Sequence, residues 1–154
     1  MTEHNQPRPD SLDWESRIDA DALAALNDMA TIAVIGLSPR PDRDSHRVSA
    51  YMQEHGFRIV PVNPTAAGAE ILGESVYASL EEAPDEVDTV CVFRRSHQTD
   101  EPIDEAINAR LRGVRQVWLQ LGIVNPDGLR RARAAGLRAV ENRCLMVEHR
   151  RLDQ

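Results

Sequence analysis

Lysine is absent from this 154-residue chain, and all 18 of its basic residues are arginine. The absence excludes enzymes that form a Schiff base through lysine and nucleotide sites built on a P-loop lysine. The 25 acidic residues give a formal net charge of −7, which disfavours binding to nucleic acid and to anionic membranes. Any basic side chain that contacts an anion must therefore be arginine or histidine.

Cysteine and long apolar runs are also scarce. Cys91 and Cys144 are too few for a disulfide scaffold, and the polar start of the chain has no apolar segment typical of a signal peptide. No apolar run approaches the roughly 20 residues of a membrane span. We therefore expect a protein of the reducing cytoplasm, with residues 1–17 as a tail and residues 18–154 as one domain.

Five short apolar runs rich in β-branched residues predict buried parallel strands. They are TIAVIG, FRIVPVN, DTVCVF, VRQVWLQLG and LRAVE. The connection over residues 65–78 is predicted to hold one short strand near Ile71, and residues 79–82 a brief helix that starts with a capping box.

Helical periodicity fills the intervals between the strands. Asp19, Ser45 and Asn125 are predicted to cap three of the helices, and a last helix is predicted over CLMVEHRRL. The alternation predicts an α/β fold, a doubly wound five-stranded parallel Rossmann-like sheet with helices on both faces. Trp118 is expected in its core.

Arginines are concentrated where the predicted strands end. In an open α/β sheet, ligands bind outside the carboxyl ends of the strands, near the point where the strand order reverses. Six arginines lie in or just after these strand exits: Arg40, Arg43, Arg47, Arg94, Arg95 and Arg143. This patch suits a small phosphate-rich ligand, because guanidinium groups match phosphate oxygens and a helix start near Ser45 adds amides. The alternative is pairing with acids such as Asp42, Asp44 and Glu141.

The first loop lacks the pattern of an NAD site. A dinucleotide fingerprint requires G-x-G-x-x-G, and here Gly36 stands alone. Asn63 occupies the position where an acidic residue would bind the ribose of NAD. NAD is therefore disfavoured, whereas a ligand with a phosphate on its ribose is not.

Six blocks of the sequence resemble the stand-alone CoA-binding protein family, whose domain is similar to the CoA-binding Rossmann domain of the succinyl-CoA synthetase alpha subunit. They are AVIGLSPRPDRDSHRV, FRIVPVNP, ILGESVYASLEEAP, VCVFRRS, VWLQLG and ENRCLMVEH. The resemblance covers about residues 18–152. It implies a Rossmann-like domain that holds coenzyme A across the strand exits, usually with no catalytic domain attached.

The resemblance also implies ligand contacts after each strand. The first and second exits supply Gly36, Leu37, Ser38, Ser45, Arg47, Val62, Asn63 and Pro64. The later exits supply Phe93, Arg94, Gln120, Leu121, Gly122, Asn142, Arg143 and Cys144. Asn142 departs from the family, which often has aspartate there. The position of Arg40 and Arg43 in the first loop adds both to the expected phosphate contacts.

We expect the protein to bind coenzyme A or an acyl-CoA as a non-catalytic carrier, sensor or regulatory module. A small NAD(P)-dependent oxidoreductase and an interaction protein with a decayed nucleotide site remain alternatives. No metal site is predicted, because no cysteine or histidine pair has the spacing of zinc ligands. Cys144 is the best nucleophile candidate. The sequence leaves open whether Cys144 is redox-active and whether the protein forms a homodimer.

Overall fold

The structure of the protein is a computed structural model that describes residues 20–152. The predicted tail, residues 1–17, and the predicted cap Asp19 lie outside these residues. The strands are β1 (Thr31–Ile35), β2 (Arg58–Val62), β3 (Glu70–Ile71), β4 (Glu74–Ser75), β5 (Thr89–Val92), β6 (Gln116–Leu119) and β7 (Arg138–Val140). The helices are α1 (residues 20–27), α2 (Asp44–Glu54), α3 (Asp100–Ala109), α4 (Pro126–Ala134) and α5 (Leu145–Leu152).

The main sheet has the strand order β2-β1-β5-β6-β7, and its strands pair in parallel. The chain passes from β1 to β2 at one edge and returns to β5 on the other side of β1. The strand order therefore reverses between β1 and β5, which is where doubly wound sheets bind ligands. Ile35 pairs with Val92 at the ends of these two strands, so the residues that follow, Gly36 and Phe93, lie at the reversal point.

Alternate residues of each strand face two separate apolar layers, because successive side chains of a strand point to opposite faces. Ile32 and Val34 of β1 pack with α1, α2 and α5. Ala33 and Ile35 pack with α3 and α4. Trp118 is fully buried as predicted, and its Nε1 donates a hydrogen bond to the carbonyl oxygen of Arg143 at 2.8 Å. The predicted doubly wound sheet with helices on both faces is confirmed.

The connection between β2 and β5 differs from the prediction. The one short strand expected near Ile71 is a small antiparallel hairpin of β3 and β4. The helix predicted over residues 79–82 is wrong, because these residues form turns. The amide of Leu80 donates to Glu105 Oε2 on α3 at 3.2 Å, so the side chain that organises this segment lies far along the chain.

Of the two predicted helix caps that lie within the described residues, one is found and the other is not. Asn125 caps α4 as predicted, since its side chain accepts a hydrogen bond from the amide of Gly128 at 2.9 Å. Ser45 is not the cap of α2, which begins at Asp44 after Arg43. The Ser45 hydroxyl instead accepts a hydrogen bond from the amide of Ser38 at 3.0 Å. No helix within residues 20–152 is both long and apolar enough to cross a bilayer.

Candidate functional site

The turn after β1 depends on a glycine at position 36. Gly36 has a φ of +89°, and its amide donates to the carbonyl oxygen of Val62 at 2.8 Å. A Cβ atom at this position would lie 2.4 Å from the carbonyl oxygen of Phe93, closer than any side chain tolerates. Only glycine therefore lets the exits of β1 and β5 lie against each other.

The loop that follows Gly36 is fixed from two sides. Ser38 binds the start of α2 through the Ser45 hydroxyl, and its own hydroxyl accepts the amide of Arg40 at 3.1 Å. From the β2 side, Asn63 Nδ2 donates to the carbonyl oxygen of Leu37 at 3.0 Å. These bonds hold the loop open above the sheet edge.

This loop and Phe93 border a cleft of about 530 Å³, here called the Gly36 cleft. Its lining residues are Gly36, Ser38, Arg40, Asp42, Arg43, Asp44, Ser45 and Phe93.

Charges in the Gly36 cleft are only partly compensated. Asp42 forms an ion pair with Arg40 at 3.1 Å, and Asp44 pairs with Arg47. Arg43 has no ion pair with any carboxylate of residues 20–152. The cleft therefore presents one uncompensated guanidinium beside the start of a helix, an arrangement that attracts phosphate.

A second cleft of about 680 Å³ lies on the other side of Phe93, and is here called the Arg95 cleft. Its lining residues are Phe93, Arg94, Arg95, His97, Gln98, Asp100 and Glu101. Phe93 lines both clefts, so together they form one depression across the carboxyl edge of the sheet.

One carboxylate of the Arg95 cleft, Asp100, already has hydrogen-bond partners outside the cleft. Asp100 accepts a hydrogen bond from Asn125 Nδ2 at 2.8 Å and another from Arg131 at 3.3 Å. The bond from Asn125, followed by that from Arg131, lowers the pKa of Asp100 below its ordinary value. Arg94 and Arg95 form no ion pair with a carboxylate of the described chain.

Arg47, which the sequence placed among the expected phosphate contacts, lies outside both clefts. It borders a separate cleft of about 580 Å³ between α2 and α5, together with Tyr51 and Arg150. Arg47 is exposed and its charge is engaged by Asp44 one turn earlier. The structure therefore brings Arg40 and Arg43 to the Gly36 cleft and turns Arg47 away from it.

Several other expected contact residues have side chains that pack or hydrogen-bond within the fold. The side chains of Leu37 and Val62 are buried in the two apolar layers. Asn63 is occupied by Leu37 and by Thr65, whose amide donates to Asn63 Oδ1 at 3.0 Å. Pro64 is exposed at the first position of a short 3₁₀ turn, and lines neither cleft.

The segments that follow β6 and β7 are joined by hydrogen bonds. Gln120 is buried, and its side-chain oxygen accepts the amide of Leu145 at the start of α5 at 3.2 Å. Asn142, with a φ of +58°, accepts the amide of Gly122 at 2.8 Å. Arg143 pairs with Glu148 at 2.8 Å. These residues close the sheet edge and line neither cleft.

Two further residues of these exits differ in exposure. Leu121 projects into solvent and is 65% exposed. Cys144 is half-buried and packs against the apolar layer of α1, α2 and α5. The buried Cys91 belongs to the same layer, and burial raises the pKa of its thiol. Neither Leu121 nor Cys144 lines the two clefts.

The sequence did not single out Gln98, Asp100 or Glu101, which line the Arg95 cleft. Gln98 ends the segment RRSHQ that follows β5, residues 94–98, and Asp100 and Glu101 begin the first turn of α3. These residues could have been found from the sequence, because they continue the segment that leaves the carboxyl end of β5. In the described residues, no group of three or more histidine, cysteine, aspartate or glutamate side chains is placed to hold a metal ion.

The fold and the two clefts at its strand-order reversal define a doubly wound nucleotide-binding type of domain. The sequence matches the CoA binding domain family over residues 30–150, and the chain belongs to that family. The resemblance seen in the sequence is thus confirmed.

Known relatives agree with this assignment. The chain is 40% identical to the uncharacterized protein YneT of Bacillus subtilis (strain 168) over 130 residues, 84% of this chain and 93% of that protein. A solved Thermus thermophilus structure, cell-free ID.343, superposes with a TM-score of 0.79 at 40% identity, over 87% of this chain and 98% of the other. A shorter match, 36% identical over 75 residues, is to the alpha subunit of acetate–CoA ligase [ADP-forming] I of Pyrococcus furiosus. It covers 46% of this chain and 16% of that subunit.

Proposed function

We propose that the protein binds coenzyme A or an acyl-CoA, with the diphosphate in the Gly36 cleft, and does not transform it. The observation that carries the proposal is Arg43. It is the arginine of the Gly36 cleft that has no carboxylate partner in residues 20–152. An uncompensated guanidinium at a sheet edge of an acidic protein is suited to phosphate oxygens.

Backbone groups supplement Arg43. The amides of Asp44 and Ser45, the first two of α2, donate to no acceptor within residues 20–152. Such amides at a helix start carry partial positive charge and bind anions. A diphosphate beside Gly36 would meet both the guanidinium and these amides.

The similarity to known proteins supports coenzyme A over other nucleotides as the ligand. The family is one of CoA-binding domains, and one relative is named as a subunit of an acetate–CoA ligase. The first loop also lacks the glycines of an NAD site. Together with Arg43, these features favour coenzyme A.

No group in the lining of the Gly36 cleft is placed to transform the diphosphate. The lining contains no cysteine and no histidine. Each of its aspartates pairs with an arginine, which leaves neither free as a general base. We propose that the protein acts as a carrier, sensor or regulatory module, and thioester loss, measured as described below, tests this role.

Calorimetric titration with CoA, acetyl-CoA, NADP and NAD tests the proposal. We expect CoA and acetyl-CoA to bind at one site per chain and NAD not to bind. Binding of NADP alone would instead support an oxidoreductase, and no binding by any of the four would support an interaction protein. Chromatography of acetyl-CoA after incubation with the protein tests the absence of turnover, and catalytic thioester loss would contradict it.

A further inference from the structure

The Arg95 cleft remains available when a nucleotide diphosphate occupies the Gly36 cleft. The two clefts meet only at Phe93, and the Arg95 cleft is the larger. A ligand held by its diphosphate at Gly36 and extending along the sheet edge passes Phe93 and enters the Arg95 cleft. Coenzyme A extends from its diphosphate in two directions, as the 3′-phosphoadenosine and as the pantetheine arm that ends in the thiol or thioester, and the arm is here placed in the Arg95 cleft.

The charges of the Arg95 cleft indicate which kind of acyl group the thioester end of the ligand carries. Arg95 is exposed, and neither it nor Arg94 has an ion pair in residues 20–152. Asp100 accepts hydrogen bonds from Asn125 and from Arg131, which also pairs with Asp104, and Glu101 is the other acid among the lining residues. His97 adds a further hydrogen-bond donor. The cleft is therefore suited to an anionic group, with a pair of adjacent guanidiniums to bind it.

We infer that the Arg95 cleft selects acyl-CoA thioesters whose acyl group ends in a carboxylate. The inference rests on the proposed function, since it requires the diphosphate in the Gly36 cleft. A terminal carboxylate would accept hydrogen bonds from Arg95 and Arg94, whereas a neutral acetyl group would leave both arginines in water. One charge-assisted contact of this kind corresponds to about tenfold in affinity.

Calorimetry at low salt with CoA, acetyl-CoA, malonyl-CoA and dephospho-CoA tests this inference. We expect malonyl-CoA to bind about tenfold more tightly than acetyl-CoA. Arg95→Gln should reduce this ratio to about twofold, mainly by weakening the binding of malonyl-CoA. Arg130→Gln is the matched control, because Arg130 is an exposed arginine on α4 that pairs with Asp127 away from both clefts. It should keep the full ratio.

Three results would overturn the inference. Equal affinities for malonyl-CoA and acetyl-CoA would overturn it and leave the proposed function standing. So would an Arg95→Gln variant that weakens CoA and both thioesters alike but not dephospho-CoA, because the cleft would then hold the 3′-phosphate. Absence of binding by all four ligands would overturn the proposed function and this inference together.

Discussion

Gly36 and Phe93 lie in such close contact that a Cβ atom on Gly36 would approach the Phe93 carbonyl oxygen to 2.4 Å. This contact joins the exits of the two strands between which the strand order reverses. It also places Phe93 between the Gly36 cleft and the Arg95 cleft. The geometry of the whole depression thus depends on one residue having no side chain.

Gly36→Ala should destabilise the fold and abolish ligand binding. The substitution adds a steric clash to the strain of a positive φ, and we expect it to cost about 3 kcal/mol or more. Gly68→Ala is the control, because Gly68 has a φ of +88° but no atom within 4 Å of a Cβ. It should cost only about 1 kcal/mol. Urea unfolding measures both, and equal losses would contradict the close-contact account.

Arg43 and Arg47 should differ in their effect on CoA affinity. Arg43→Gln removes the uncompensated guanidinium of the Gly36 cleft, so we expect CoA affinity to fall about tenfold. Arg47→Gln removes a charge already paired with Asp44 and facing another cleft, so we expect a change within about threefold. Calorimetry distinguishes the two, and a larger loss in Arg47→Gln would show that the phosphates lie elsewhere.

Asn125 links the starts of α3 and α4 below the Arg95 cleft. Its Oδ1 accepts the amide of Gly128, and its Nδ2 donates to Thr99 Oγ1 and Asp100 at 2.9 and 2.8 Å. Asn125→Ala loses both the cap and the link, so we expect a destabilisation of about 2 kcal/mol. Asn125→Ser keeps an oxygen that caps the helix and should cost about half as much. Thermal unfolding measures the order, and an equal loss in both variants would show that the cap contributes nothing.

Glu105 should make stability depend on pH. Burial raises the pKa of this half-buried carboxyl above its ordinary value, against an opposing hydrogen bond from the amide of Leu80. The folded protein therefore holds the proton more tightly than the unfolded chain does. The corresponding stability is present below the unfolded pKa and is lost as pH rises through the folded pKa.

Glu105→Gln should accordingly raise the free energy of unfolding at pH 7, by up to about 1 kcal/mol because Glu105 is only partly buried. The gain should shrink as pH falls toward 4. Glu82→Gln, at an exposed site, is the control for the loss of one negative charge. A Glu105→Gln variant that is less stable than wild type at every pH would contradict the assignment.

The sequence predicted those parts of the fold that depend on neighbouring residues. The run TIAVIG and the Asn125 cap carry their information locally, and both are found where expected. The turns at residues 79–82 depend on Glu105, which is 25 positions from Leu80. The residues around position 80 contain no pattern that predicts this hydrogen bond.

The position of the two clefts was predictable to the level of strand exits but not of individual arginines. A Ser45 cap predicts that α2 starts at residue 46, whereas the helix starts two residues earlier, at Asp44. Arg43 therefore directly precedes the helix and borders the Gly36 cleft, whereas Arg47 lies one turn inside it, pairs with Asp44 and borders the cleft between α2 and α5. Sequence reasoning could not resolve which arginines near the helix start border which cleft.

The most direct test of the account is a map of backbone amide shifts by ¹H–¹⁵N NMR during titration with coenzyme A. We predict saturable shifts that are largest at Gly36, Ser38, Arg43 and Phe93, with little change at Gly68. The absence of shifts at millimolar coenzyme A would contradict binding itself. Shifts concentrated on Tyr51 and Met146, in the cleft between α2 and α5, would contradict the location of the site.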